Sequence, residues 1–368
     1  MKKVLISSAL AASLAIPSLA FEIYSDDDTK VNLYGSIRGY MGGSYTGNGS
    51  ATDGRGGYLI GIQNNSHFGA RFSHGNFKAN VEFGASEPGV DGTTNGAPLR
   101  KFWGSYTTGA GEILFGKTDA PTTDIGFISN WLNNDNGAQG FGGVNTGNRK
   151  IQLQYNLAGL SVALVEDYVA LGRTTALDEF PRISLAYTIK GDKGAPFFKV
   201  AYNYKKYTTS GSMGSVNMNK GDVAWDLWAA IRPTFGNAYL SVLASYGVDA
   251  HLYGEQTTNL NRGDYLNTPI LATAKDVKRT GANVELGFNL GQKLALTLGG
   301  GYQKTFGKGV GGTVSGVNAY INLPYKVSGN FTFVPQVAYY NANGTATVLG
   351  GADKISSVIA AARFKWDF

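Results

Sequence analysis

The sequence has no cysteine, which removes disulfide staples, thiolate nucleophiles and cysteine metal sites together. Histidine is nearly as scarce: His67, His74 and His251 are the only three, and no two of them form a His-x-x-x-His pair. There is no phosphate-cradling Gly-x-x-x-x-Gly-Lys-Ser/Thr loop and no Gly-x-Ser-x-Gly elbow. Nothing here calls for a cofactor, a metal ion or a catalytic set. Long apolar runs are also missing beyond the first twenty residues, so no later segment can span a bilayer as a helix. A chain of this kind enters a membrane only as a closed β-barrel, in which every backbone N–H and C=O is satisfied by a neighbouring strand.

What is present begins with MKKVLISSALAASLAIPSLA. Lys2 and Lys3 form a positive start, Val4 to Ile16 an apolar stretch, and Ser18 and Ala20 flank Leu19. This pattern predicts an export signal over 1–20, cut between Ala20 and Phe21, and leaves 21–368 as one barrel. The stretch is too short for a spanning anchor, which takes roughly 20 residues. The formal charge is +6, and losing Lys2 and Lys3 lowers it to about +4. No dense Lys/Arg run or basic helix accompanies it, so nucleic acid is not an expected partner.

The dominant signal is alternation with a period of two. In KVNLYGSIRGYM, Val31, Leu33, Ile37 and Met41 share one face, and Asn32, Tyr34, Ser36, Arg38 and Tyr40 share the other. NFKANVEFG, RKIQLQY and ANVELGFNL repeat it. At the end, Phe364, Trp366 and Phe368 oppose Arg363, Lys365 and Asp367, an aromatic edge suited to a membrane–water boundary. Alternation alone fits a soluble sandwich as well as a barrel. The connections separate them. Short links such as SHGN (73–76), NLAG (156–159) and TFGN (234–237) alternate with long Gly/Asn/Thr-rich ones near 44–64, 87–99, 119–148, 168–181, 207–222 and 248–281. The expected fold is all-β: a transmembrane antiparallel β-barrel of about 16 strands, from 31–43 through segments such as 182–190 and 196–206 to 356–368, with both termini on the short-turn side.

Several stretches are similar to one family. FEIYSDDDTKVNLYGSIRGY resembles the start of the general porins of Gram-negative bacteria, NSHFGARFSHG their second strand and first turn, and GEILFGKTDAPTTDIG the strand entering their inward-folded third loop. The terminal Phe resembles their assembly signal. Phe141, Gly142 and Gly143 match the Phe-Gly-Gly of that loop, but the preceding acid of the enterobacterial members is Gly140 here, and His67 stands where they place Arg. The resemblance implies a long third loop folded into the lumen. It also implies a homotrimer in which loop 87–99 and its Glu87 reach a neighbour, set in outer-membrane lipid and lipopolysaccharide.

With the greasy face outward, the opposite face lines a water-filled channel. Strand phase turns Arg38, Arg71, Lys101 and Lys150 inward, with His67 beside Arg71, as one basic arc of wall. Loop 119–148 carries Asp119, Asp124 and Asp135 and no basic residue. A structureless loop of this length is more often functional than incidental. Folded inward, it would set acids opposite the basic arc and create a transverse field favouring small hydrophilic solutes and ions. The bland alternative is that these are ordinary solvated charges. Trp103 shares the Lys101 face, either stacking solutes or packing the strand end. Asp26, Asp27 and Asp28 read as a solvated turn sooner than a divalent-cation site, because adjacent carboxylates converge poorly. The function expected is passive diffusion with a mild anion bias. The competing readings are a substrate-specific channel for sugar, peptide or anion, a barrel-embedded hydrolase, and a plugged structural or adhesin barrel.

Overall fold

The computed structural model describes residues 20–47, 54–63, 65–84, 97–123, 126–131, 140–144, 149–166, 168–171, 174–177, 180–191, 195–213, 216–253, 275–310, 312–344 and 354–368. The predicted export signal and loop 87–99 with Glu87 fall wholly or mainly outside them.

A closed antiparallel barrel of 16 strands makes up the wall. In chain order these are β1 (Thr29–Gly47), β2 (Gly54–Ile62 continuing as His67–His74), β3 (Phe77–Gly84), β4 (Leu99–Thr108), β5 (Gly111–Asp119), β6 (Arg149–Leu157), β7 (Leu160–Val165) and β8 (Arg182–Lys190). The second half comprises β9 (Pro196–Lys206), β10 (Val223–Ile231), β11 (Ala238–Val248), β12 (Lys278–Asn289), β13 (Ala295–Gly307), β14 (Gly312–Asn322), β15 (Phe331–Asn343) and β16 (Lys354–Asp367). Each pairs with its chain neighbour, and β16 returns to β1 in a continuous register from Ser36↔Asp367 to Gly47↔Ser356. The short segment Phe21–Ser25 pairs with the start of β1, extending the row that β16 occupies. Phe368 completes that seam: its amide donates to the Gly35 carbonyl at 3.0 Å, and the Gly35 amide donates to its carbonyl at 2.7 Å. The Phe368 ring lies over Gly35, where a Cβ would overlap it.

The alternation predicted from sequence divides the two faces of this wall, with the usual sense of burial inverted. Ile37, Phe102 and Phe115 point outward and are 52, 64 and 63% exposed, whereas inward Ser184 and Asn203 are 0 and 1% exposed. An apolar exterior around a polar interior is the arrangement of a barrel whose outer solvent is lipid. Stacked Phe331 and Trp366, with ring centroids 4.7 Å apart, and Phe364 beside Trp366 form the outward aromatic edge near the seam. On the short-turn side, Asp26 shapes the entry to β1. It accepts from the Tyr24 hydroxyl at 2.6 Å and the Thr29 amide at 2.6 Å, and these two bonds hold its carboxyl below the usual carboxylate range. Its carboxylate thus serves the turn. Among the described residues no group of three or more His, Cys, Asp or Glu can hold a metal ion.

Two departures from the sequence expectation stand out. The stretch 44–64, expected as a loop, is largely a hairpin: β1 runs to Gly47 and pairs with Gly54–Ile62 from Gly39↔Ile62 to Gly47↔Gly54. Glycine contributes no side chain to an alternation count, yet its backbone still pairs. A separate four-stranded sheet, built from Tyr168–Leu171, Thr174–Leu177, Gly211–Met213 and Val216–Met218, joins two connections expected to be irregular. These segments are too short to show a period.

Candidate functional site: the loop-lined lumen

The chain leaves β5 at Asp119 and turns into the barrel, and its first described stretch follows the inner wall from β9 round to the junction within β2. Lys199 of β9 donates to the Thr123 carbonyl at 2.6 Å, and the Trp228 indole of β10 donates to the Thr122 carbonyl at 2.9 Å. Arg232, just beyond β10, donates to the Gly126 carbonyl. Further round, Glu285 of β12 accepts from both the amide and the hydroxyl of Ser129, at 2.6 and 2.7 Å. Gln336 of β15 donates to the Asn130 side chain at 2.7 Å and accepts from the Trp131 amide at 3.1 Å. Gln63 donates to the Trp131 carbonyl at 3.2 Å, and Arg363 of β16 lies over the Trp131 ring at 5.5 Å. Phe127, Ile128, Asn130 and Trp131 are buried by this fastening.

Phe141, Gly142 and Gly143 dock on a floor of glycines. A Cβ on Gly301 would overlap the Phe141 carbonyl, and one on Gly316 would overlap the Phe141 ring. Arg279 of β12 donates to the Gly143 carbonyl. Gly140, where the enterobacterial pattern has an acid, adopts φ 103°, and a Cβ there would lie 3.1 Å from the Asn318 amide and 3.2 Å from that of Asn130. A side chain there would be strained by the backbone and crowded by both amides.

The opposite inner wall, over β1 to β6, carries charge. Arg38, His67, Arg71, Lys101 and Lys150 all stand at inward positions, alternating with outward neighbours such as Ile37, Phe68, Phe72, Phe102 and Ile151. Arg38 donates to Ser36 at 2.8 Å, which donates to Asp367 of β16 at 2.7 Å. The His67 Nδ1 lies 2.7 Å from the Asn65 carbonyl, and its ring sits edge-on to Tyr34. Trp103 is inward on β4, beside Asn80 of β3 in the pairing register.

One acid, Asp119, does not stand where the sequence suggested. Asp119 is the last residue of β5, paired in register with Arg149, and it bridges Arg149 at 3.1 Å and Lys101 at 3.3 Å within the basic wall. It therefore neutralises the arc locally and does not face it across the lumen. Asp124 and Asp135 lie outside the described residues. Sequence reasoning also passed over Glu82, which the register sets among the cations: it meets Arg100 at 2.8 Å, Lys101 at 3.7 Å and His67 at 3.9 Å. A lone carboxylate at an inward strand position was the available signal.

Two carboxylates are mounted in the same way. Tyr34 of β1, Gly69 of β2 and Glu82 of β3 stand directly abreast. The Tyr34 ring crosses the glycine, and its hydroxyl donates to Glu82 at 3.0 Å. Tyr320 of β14, Gly299 of β13 and Glu285 of β12 repeat this row, with the hydroxyl 2.5 Å from Glu285. Tyr239 supplies a second donor to Glu285 at 2.6 Å, its ring crossing Gly287. Glycine in a strand here marks close approach by an aromatic ring.

No family model matches the sequence, and no curated protein sequence matches it. Solved structures do. The outer membrane channel DcaP of Acinetobacter baumannii matches with a TM-score of 0.62 at 15% identity, covering 94% of this chain and 99% of that one. This chain has the outer-membrane porin fold. Two further structures share the porin barrel from end to end: Salmonella typhi OmpF in complex with daunomycin, at TM-score 0.59, 17% identity and 94 and 100% coverage, and an anion-selective porin from Comamonas acidovorans, at 0.56, 16% and 93 and 100%.

Proposed function

We propose that this chain forms a water-filled channel across the outer membrane of a Gram-negative bacterium, through which ions and small hydrophilic solutes diffuse passively. The observation that carries the reading is the inverted barrel with residues 120–123 and 126–131 fastened to its inner wall, which supports a polar lumen narrowed by its own loop. The pore has a mild anion preference: Arg38, Arg71, Lys101 and Lys150 outnumber the acids on the open wall, and the Comamonas relative is described as an anion-selective porin. The chain works without covalent chemistry, consistent with His67 being spent on Tyr34, Asn65 and Glu82. Residues 1–20 serve as its export signal and 21–368 as the mature barrel.

The functional unit is a homotrimer in lipid and lipopolysaccharide. An apolar groove of about 710 Å³ on the outer face of β1 to β5, lined by residues such as Ala70, Phe77, Ala79, Phe102 and Phe115, supports a subunit-facing surface there. Planar-bilayer recording tests the channel. Ohmic steps are expected; block by one particular solute would mean a specific channel, and silence would sink the pore reading. Unboiled protein migrating at about three times the monomer mass tests the trimer.

A further inference from the structure

We infer that Arg71 is the residue that chiefly sets the ion preference of this pore, and that the Tyr34–Gly69–Glu82 row is the platform that positions it. The inference rests on the channel reading above and names the determinant within it.

The cations of the open wall differ in what surrounds them. Lys101 lies between two carboxylates, 3.7 Å from Glu82 and 3.3 Å from Asp119, and Arg100 is bonded to Glu82 at 2.8 Å. Their fields at the lumen axis are largely cancelled by acids at contact distance. Arg71 makes no ion pair among the described residues. Its guanidinium lies over the Tyr34 ring at 4.1 Å, while the residue stays exposed to the lumen. A ring face holds a cation without neutralising it, so the full charge remains available to a passing anion.

The platform is built for rigidity. Tyr34 is 1% exposed, and its hydroxyl is anchored on Asn80 at 3.0 Å and Glu82 at 3.0 Å. A Cβ on Gly69 would lie 2.9 Å from both the ring and the hydroxyl of Tyr34, so only glycine lets the ring lie this close to the wall. Asn32, Asn80 and Trp103 flank the site at neighbouring inward positions, leaving neutral hydrogen-bonding groups beside the cation.

The test is reversal potential in a potassium chloride gradient, with the full protein in planar bilayers. Arg71→Gln is expected to lower the anion-to-cation permeability ratio about twofold, the combined Boltzmann factors of one unit charge acting oppositely on anion and cation over ~10 Å of water screened by ~0.1 M salt. Lys101→Gln is expected to change it less. Tyr34→Phe, which keeps the ring but loses its anchors, and Arg71→Lys, which keeps the charge but stacks less well, should both fall between wild type and Arg71→Gln. Equal shifts for Arg71→Gln and Lys101→Gln, or no shift for Arg71→Gln, would overturn the assignment. Wild-type values for both Tyr34→Phe and Arg71→Lys would overturn the platform. Open steps persisting in every variant would show that the channel reading stands independently of either result.

Discussion

The two halves of the barrel interior use one device to opposite ends. On the β11 to β14 side, Tyr320 crosses Gly299 to hold Glu285, and the remaining capacity of that carboxylate is taken by Ser129 of the inserted loop. On the β1 to β3 side, Tyr34 crosses Gly69 to hold Glu82, whose other partners are the wall's own Arg100 and Lys101. Arg232 stacks on Tyr239 at 3.8 Å in the covered half, and Arg71 on Tyr34 at 4.1 Å in the open half. The covered Arg232 spends its donor on the loop carbonyl of Gly126, whereas Arg71 faces water. The same tyrosine–glycine–glutamate row becomes an anchor where a loop reaches it and a charge platform where, among the described residues, none does. What differs is not the wall but what lies against it.

Breaking the anchor should produce the largest effect. Glu285→Ala strands the Tyr239 and Tyr320 hydroxyls and the Ser129 amide, at about 1–3 kcal/mol for each buried donor left unpaired. The loop should leave the wall, and single-channel conductance should rise or become noisy; an unchanged trace would show that the loop is held elsewhere. Gly301→Val should do less. It forces the Phe141 backbone away from β13 at a strain of about 1–3 kcal/mol, and lowered thermal stability of the detergent-solubilised protein would register it. The smallest effect belongs to the open half: Glu82→Gln unmasks Arg100 and Lys101 and should raise anion preference by about twofold, read by reversal potential. A shift toward cations there would invert the comparison.

Legibility in the sequence followed the two-solvent nature of the wall. Lipid outside and water inside impose a period of two on every strand, so β8 (Arg182–Lys190) and β9 (Pro196–Lys206) could be bounded to the residue from pattern alone. The Gly54–Ile62 half of β2 could not, because RGGYLIGI shows little alternation among its glycines. Which side chains turn inward was legible too, since phase needs only local sequence. Which of them touch was not. Glu82 meets Lys101, and Asp119 meets Arg149, through cross-strand register, and register depends on turns and bulges such as the shift between Glu82 and Phe83. The same limit hid the role of glycines at 69, 299 and 301. In sequence they look like pauses in a pattern, and in space they are places where a ring or a loop lies flush against the wall.

The seam between β1 and β16 joins residues more than three hundred positions apart, and the sheet has no closed form until it is made. Every other pair of neighbouring wall strands is consecutive in the chain and can zip locally, so the growing sheet carries two bare edges of unpaired amides and carbonyls until its last step. Those edges recognise each other in one register, set where the Phe368 ring lies over Gly35. They are also open to any other extended chain. A protein built this way needs escort through water and a rapid final closure in the membrane, and a variant bulky at Gly35 should reveal itself as aggregate before it reveals itself as a faulty pore.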